Sequence, residues 1–170
     1  GTITAMAADA THLYWVETAF PDSGSIRRMP LGGGPVETFY SGSAPLGGGL
    51  AIRGGKLYVA DLFSGRIVAL ALAGGSPQDV AITTTPKRLV TDDLNVYWIS
   101  GTSIHAVPLA GGEVSTLADG PGAPTDLCVS GDDVFWTEYG GDAHGILGTV
   151  NRVSRSGGDV TVLADGVRPP

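Results

Sequence analysis

Leu13-Tyr14-Trp15-Val16-Glu17 returns as Leu57-Tyr58-Val59-Ala60-Asp61, Val96-Tyr97-Trp98-Ile99-Ser100 and Val134-Phe135-Trp136-Thr137-Glu138. The aromatic residue at the second position advances by 44, 39 and 38 residues along a chain of 170. Self-similarity at that period marks a repeat architecture. A second phrase fixes the register. In every copy an Ile or Val is followed seven residues later by a glycine pair: Ile26 and Gly33-Gly34, Ile67 and Gly74-Gly75, Ile104 and Gly111-Gly112, Val150 and Gly157-Gly158. The spacing inside this phrase is constant while the gap before it varies, so the constant parts read as scaffold and the variable parts as loops. The units run 2–46, 47–87, 88–123 and 124–170, and residues 1–170 read as one domain.

Each unit divides into four short strands. In the third, residues 88–91 form a first strand and Asp92-Asp93-Leu94-Asn95 a turn. Residues 96–100, 103–108 and 114–118 follow as the second, third and fourth strands. β-Branched and aromatic residues favour the strands; Gly, Asp and Asn favour the turns, and a Gly-Gly pair accepts the positive φ of a tight hairpin. No segment keeps a 3.6-residue period for more than about a turn. The reading is an all-β protein of sixteen strands with almost no helix. Repeated four-stranded units of roughly 40 residues are the pattern of propeller blades. Sandwiches do not repeat their sequence in this way, and solenoid coils are shorter.

Composition bounds the partners. A net charge of −7 and only two lysines, Lys56 and Lys87, argue against nucleic acid, which requires a clustered basic face. No apolar run approaches the ~20 residues of a spanning helix, so no membrane insertion is expected. Cys128 is the single cysteine, and its place in Asp126-Leu127-Cys128-Val129 reads as a small buried hydrophobe. No cofactor is expected: the glycine pairs cap hairpins and do not lead into a helix that would bind phosphate. No metal is expected either, for neither an EF-hand loop nor a His-Glu-x-x-His helix is present. There is no nucleophile elbow, and His12, His105 and His144 fall at unrelated repeat positions, each read as a surface or solvent-facing residue.

The phrases, with Pro30-Leu31-Gly32-Gly33 and Pro108-Leu109-Ala110-Gly111-Gly112 closing third strands, resemble the YWTD and NHL-type β-propeller repeats, specifically their bacterial Gly-Gly-punctuated versions. The resemblance spans the whole chain. It implies that Glu17, Asp61 and Glu138 hydrogen-bond backbone at blade junctions, and that Trp15, Trp98 and Trp136 pack between blades. Two departures stand out: Val59 replaces the Trp of the second blade, which predicts a thinner contact there, and Ser100 replaces the acid of the third. Such relatives usually close with six or more blades, and four are found here. The expectation is a half-ring completed by a second chain, a homodimer, with a closed four-blade ring and an excised piece of a longer propeller as alternatives. Residues 166–170 resemble a lead into a further blade.

Function is expected on one rim. The stretch between the second and third strands is four residues from Ser100 to Ile104, six from Asp61 to Ile67, nine from Glu17 to Ile26 and twelve from Glu138 to Val150. Loops on a rigid scaffold collect function. Phe20, Asp22, Phe63, Tyr139, Asp142 and His144 lie in these loops and suit stacking and hydrogen bonding to a carbohydrate or a peptide. The chain therefore reads as a non-enzymatic binding or assembly module. The alternatives are a half-propeller whose role is self-association, and a carbohydrate- or lactone-active enzyme with its site in the central channel. Scarce lysine and the repeat type suit a bacterial cell envelope or secreted protein.

Overall fold

The computed structural model describes residues 1–19, 23–42, 46–120, 122–139 and 147–167. Among them are sixteen strands and no helix. The first sheet holds β1 (Thr2–Ala8), β2 (His12–Ala19), β3 (Ser23–Pro30) and β4 (Glu37–Gly42). The second holds β5 (Leu50–Arg53), β6 (Lys56–Asp61), β7 (Arg66–Ala71) and β8 (Gln78–Ile82). In the third are β9 (Pro86–Thr91), β10 (Asn95–Ser100), β11 (Ser103–Pro108) and β12 (Ser115–Asp119). In the fourth are β13 (Ala123–Ser130), β14 (Asp133–Tyr139), β15 (Gly148–Ser154) and β16 (Thr161–Val167). Each sheet is an antiparallel meander in chain order. The first strands β1, β5, β9 and β13 contact one another in succession, which gives a fan of four blades.

The glycine pairs perform one task four times. Gly33, Gly74, Gly111 and Gly157 have φ between +81° and +98°, and each donates its N–H to the carbonyl three residues back at 2.8–3.0 Å. A side chain is strained in that conformation, which is why the pair recurs. Turns between first and second strands use two chemistries. Gly54 and Gly55 take positive φ. Asp9 and Asp92 instead accept two backbone N–H groups at 2.7 Å and the phenol of the following tyrosine, Tyr14 at 3.1 Å and Tyr97 at 2.8 Å.

Strand alternation sends the second and fourth positions of the aromatic phrase to one side and the first and third to the other. The buried clusters follow that rule across each junction. Tyr14, Val16 and Ile26 of the first sheet meet Leu57 and Val59 of the second. Tyr58, Ala60 and Ile67 meet Val96 and Trp98 of the third. Tyr97, Ile99 and Ile104 meet Val134 and Trp136 of the fourth. One side of each blade thus receives what the next blade presents. Among the described residues no buried cluster joins the fourth sheet to the first, and these residues trace an open arc of four blades.

At the first junction the missing tryptophan is partly compensated from the other side. Val59 pairs with Val68, where the later sheets pair Trp98 with His105 and Trp136 with Asn151. Facing them stands Tyr40, at the register held by Ala81 and Ala118 in the second and third sheets. A large residue has moved across the interface.

Candidate functional site

Among the described residues two faces of the arc have no neighbouring blade. On the fourth sheet Phe135, Thr137, Val150 and Leu163 occupy the registers that Tyr97, Ile99, Ile104 and Leu117 fill in the third. Leu117 is 5% exposed, whereas Leu163 is 50% exposed. Cys128 pairs with Phe135 on that face and is exposed. This corrects its reading as a buried hydrophobe: strand alternation aims it at the face that packs on a neighbouring blade elsewhere, and among the described residues nothing covers that face. On the first sheet Leu13, Trp15 and Glu17 stand where Val96, Trp98 and Ser100 stand in the third. Trp98 is fully buried, while Trp15 is only half-buried beside Arg27 and the exposed Met6. Of the three tryptophans expected between blades, Trp98 and Trp136 lie inside junction clusters and Trp15 lies on the open face.

The acid position does not carry one common role. Asp61 is buried and caps its own turn, accepting the Ser64 N–H at 3.1 Å, with Arg66 at 3.8 Å. Glu138 accepts the Asn151 amide at 2.9 Å and the Thr149 hydroxyl at 3.3 Å, both on β15. Glu17 faces Arg27 at 3.8 Å. Near the same register, hydroxyls reach backbone in the linkers between blades: Ser100 donates to the Thr84 carbonyl and Thr18 to the Leu46 carbonyl, while the Glu138 carboxylate lies against Gly120 and Gly122 of the linker before its own blade. Ser100, a departure from the repeat, is thus tied to the linker that precedes its blade.

Charged contacts also cross junctions. Arg155 of the fourth sheet reaches Asp92 of the third at 2.8 Å and also pairs with Asp132, and Arg53 of the second pairs with Asp93. Burial alone would raise the Asp92 carboxyl. The hydrogen bonds from Arg155, the Asn95 and Leu94 N–H groups and the Tyr97 phenol outweigh it and hold the group at about 2. Tyr97 is pushed up to about 12, by burial first and then by Asp92. His105 is not turned freely to solvent: its ring stacks on Trp98 with centroids 5.5 Å apart, and burial lowers its pKa.

Of the rim residues, Phe20, Asp22, Asp142 and His144 lie outside the described residues. Phe63, 47% exposed, sits in the turn between β6 and β7 with its ring over Gly47. Tyr139, 49% exposed, ends β14. Both mark the same edge of the arc, where second strands end.

No protein-family model matches the sequence, and no curated protein matches it either. Solved structures do. A chain of a nidogen/laminin complex superposes with a TM-score of 0.77 at 23% identity, over 98% of this chain and 66% of that one. Virginiamycin B lyase from Staphylococcus aureus gives 0.70 at 14% identity, over 94% and 54%. A putative TolB from Agrobacterium tumefaciens gives 0.69 at 18%, over 92% and 62%. The chain spans between about half and two-thirds of the length of these neighbours. With four antiparallel four-stranded blades and these neighbours, the chain has the fold of the YWTD/NHL-like β-propellers.

Proposed function

We propose that the chain is a non-enzymatic binding module: a propeller arc that completes its ring with a second copy and presents a ligand-binding rim where its second strands end. The observation that supports this reading is the pair of uncovered faces. Phe135, Val150 and Leu163 on the fourth sheet repeat the donor side of the inner junctions, and Leu13 and Trp15 on the first repeat the acceptor side. Contiguous apolar patches of this kind drive association. The fourth sheet of one copy then docks on the first sheet of the other, and a two-fold axis along the channel closes both junctions at once.

At the rim, the exposed Tyr139 ring at the end of β14 offers a flat face for a sugar ring or a peptide side chain, and the partly exposed Phe63 stands on the same edge. Propellers serve both recognition and catalysis, so the fold by itself does not choose between them. Trp15→Arg and Phe135→Arg, made singly, test the assembly. Each is expected to leave a folded monomer where the parent is a dimer, and a dimer surviving both changes defeats the reading. Tyr139→Ala and Phe63→Ala should remove binding on a glycan and peptide panel without lowering Tm. Turnover of a carbohydrate or lactone by the parent would replace the module by an enzyme.

A further inference from the structure

We propose that the junction between the first and second sheets is a binding site for a small aromatic N–H heterocycle of the indole class. This rests on a different observation from the assembly above. The Val59–Val68 pair leaves unfilled the space that Trp98 with His105, and Trp136 with Asn151, occupy in the later blades. Tyr40 recovers part of it, and a cavity of about 200 Å³ remains between Ile26 and Tyr40 on one side and Val59, Val68 and Leu70 on the other, with Asp61, Arg66 and Asp79 forming its polar end. By volume, about 150 Å³ admits benzene and drug-sized ligands need roughly 300 Å³ or more, so this space suits one fused ring whose apolar body meets the valines and whose polar edge meets the charged end.

Its polar equipment is equally specific. The Asp61 side chain, 7% exposed, lines the cavity. Its Oδ1 accepts the Ser64 N–H at 3.1 Å, while its Oδ2 lies 3.8 Å from Arg66 Nη2, beyond hydrogen-bond length. Asp79 holds the Arg66 guanidinium at 3.1 Å, and the Arg66 Nε is buried without a partner. A buried carboxylate gains from a second donor, and a ring N–H supplies one while the ring plane covers the valines. The fold already accommodates an indole at the equivalent register of the next junction, where Trp98 Nε1 donates to Thr83 Oγ1 at 3.2 Å.

Indole itself is the probe, followed by calorimetry and by methyl NMR on the intact chain. Saturable binding with a Kd on the order of 1 mM, as expected for a ligand of about nine heavy atoms, should come with ring-current shifts centred on the Val59 and Val68 methyls. Val59→Trp places the chain's own indole in the space and should weaken binding by more than about tenfold while Tm holds or rises. Asp61→Asn should weaken it less. Absence of saturable binding to the parent, shifts centred elsewhere, or undiminished binding to a folded Val59→Trp protein each overturns the assignment. If Val59→Trp does not fold, the methyl shifts of the parent decide alone.

Discussion

Trp98→Ala and Trp15→Ala change the same repeat position and should differ severalfold in cost. Trp98 is fully buried between the second and third sheets, packed in a cluster with Tyr58, Ile67 and Leu89, stacked on His105 and bonded to Thr83. A tryptophan buries ~150–250 Å², which at ~25 cal/mol per Å² corresponds to about 4–6 kcal/mol. Core Trp→Ala changes cost about 3–5 kcal/mol, so about 4 kcal/mol is expected, a large share of the ~5–15 kcal/mol that holds a domain together. Trp15 packs only within its own sheet, between Met6 and Arg27, and keeps part of its surface in water, so its removal should cost about 1–2 kcal/mol in a dilute, monomeric sample. Urea titration followed by circular dichroism reads both values, with the slope kept equal to that of the parent. Equal costs for the two variants at monomeric concentration would mean that the fourth sheet covers Trp15 and that the arc is closed.

Three further outcomes follow from the geometry. Because the folded Asp92 carboxyl is held at about 2 from an ordinary 3.8, its contribution is fully present above about pH 4 and disappears as pH falls through 2. Asp92→Asn should therefore lower stability at pH 7 by about 2 kcal/mol and by much less at pH 2, read from urea midpoints across that range. Gly48 has φ +98° in the linker to the second blade, and an added Cβ would collide with the Ala60 carbonyl; Gly48→Ala should cost at least about 2 kcal/mol, where an unconstrained glycine would show a gain. Cys128, exposed on the open face, should react with a thiol reagent in the native dilute protein and slow down as concentration rises. A thiol inert at every concentration would show that face to be covered within the chain.

The repeat made the fold legible because the information is local. Alternation along Val96–Ser100 and the fixed step from Ile104 to Gly111 determine strand, face and turn within a single unit. Burial is a property of pairs of units, and there the sequence could mislead. Trp15 and Trp98 hold the same place in their phrases, as do Cys128 and its counterpart Val90; only the neighbouring blade separates the more buried residue of each pair from the less buried one. Val59 was readable as a departure. Tyr40, which compensates for it, was not, since it lies in another unit and in a fourth strand with a bulged register. The role of Ser100 escaped for the same reason: its partner Thr84 belongs to a linker that carries no repeat pattern. The rim residues were found by loop length, and length alone does not bring side chains together.

Solution mass by light scattering on a sizing column tests the open arc and its completion most directly. A mass near twice the 17.3 kDa of one chain, falling to a single chain mass in Trp15→Arg, is the predicted result. A parent that stays at 17.3 kDa at every concentration would contradict it.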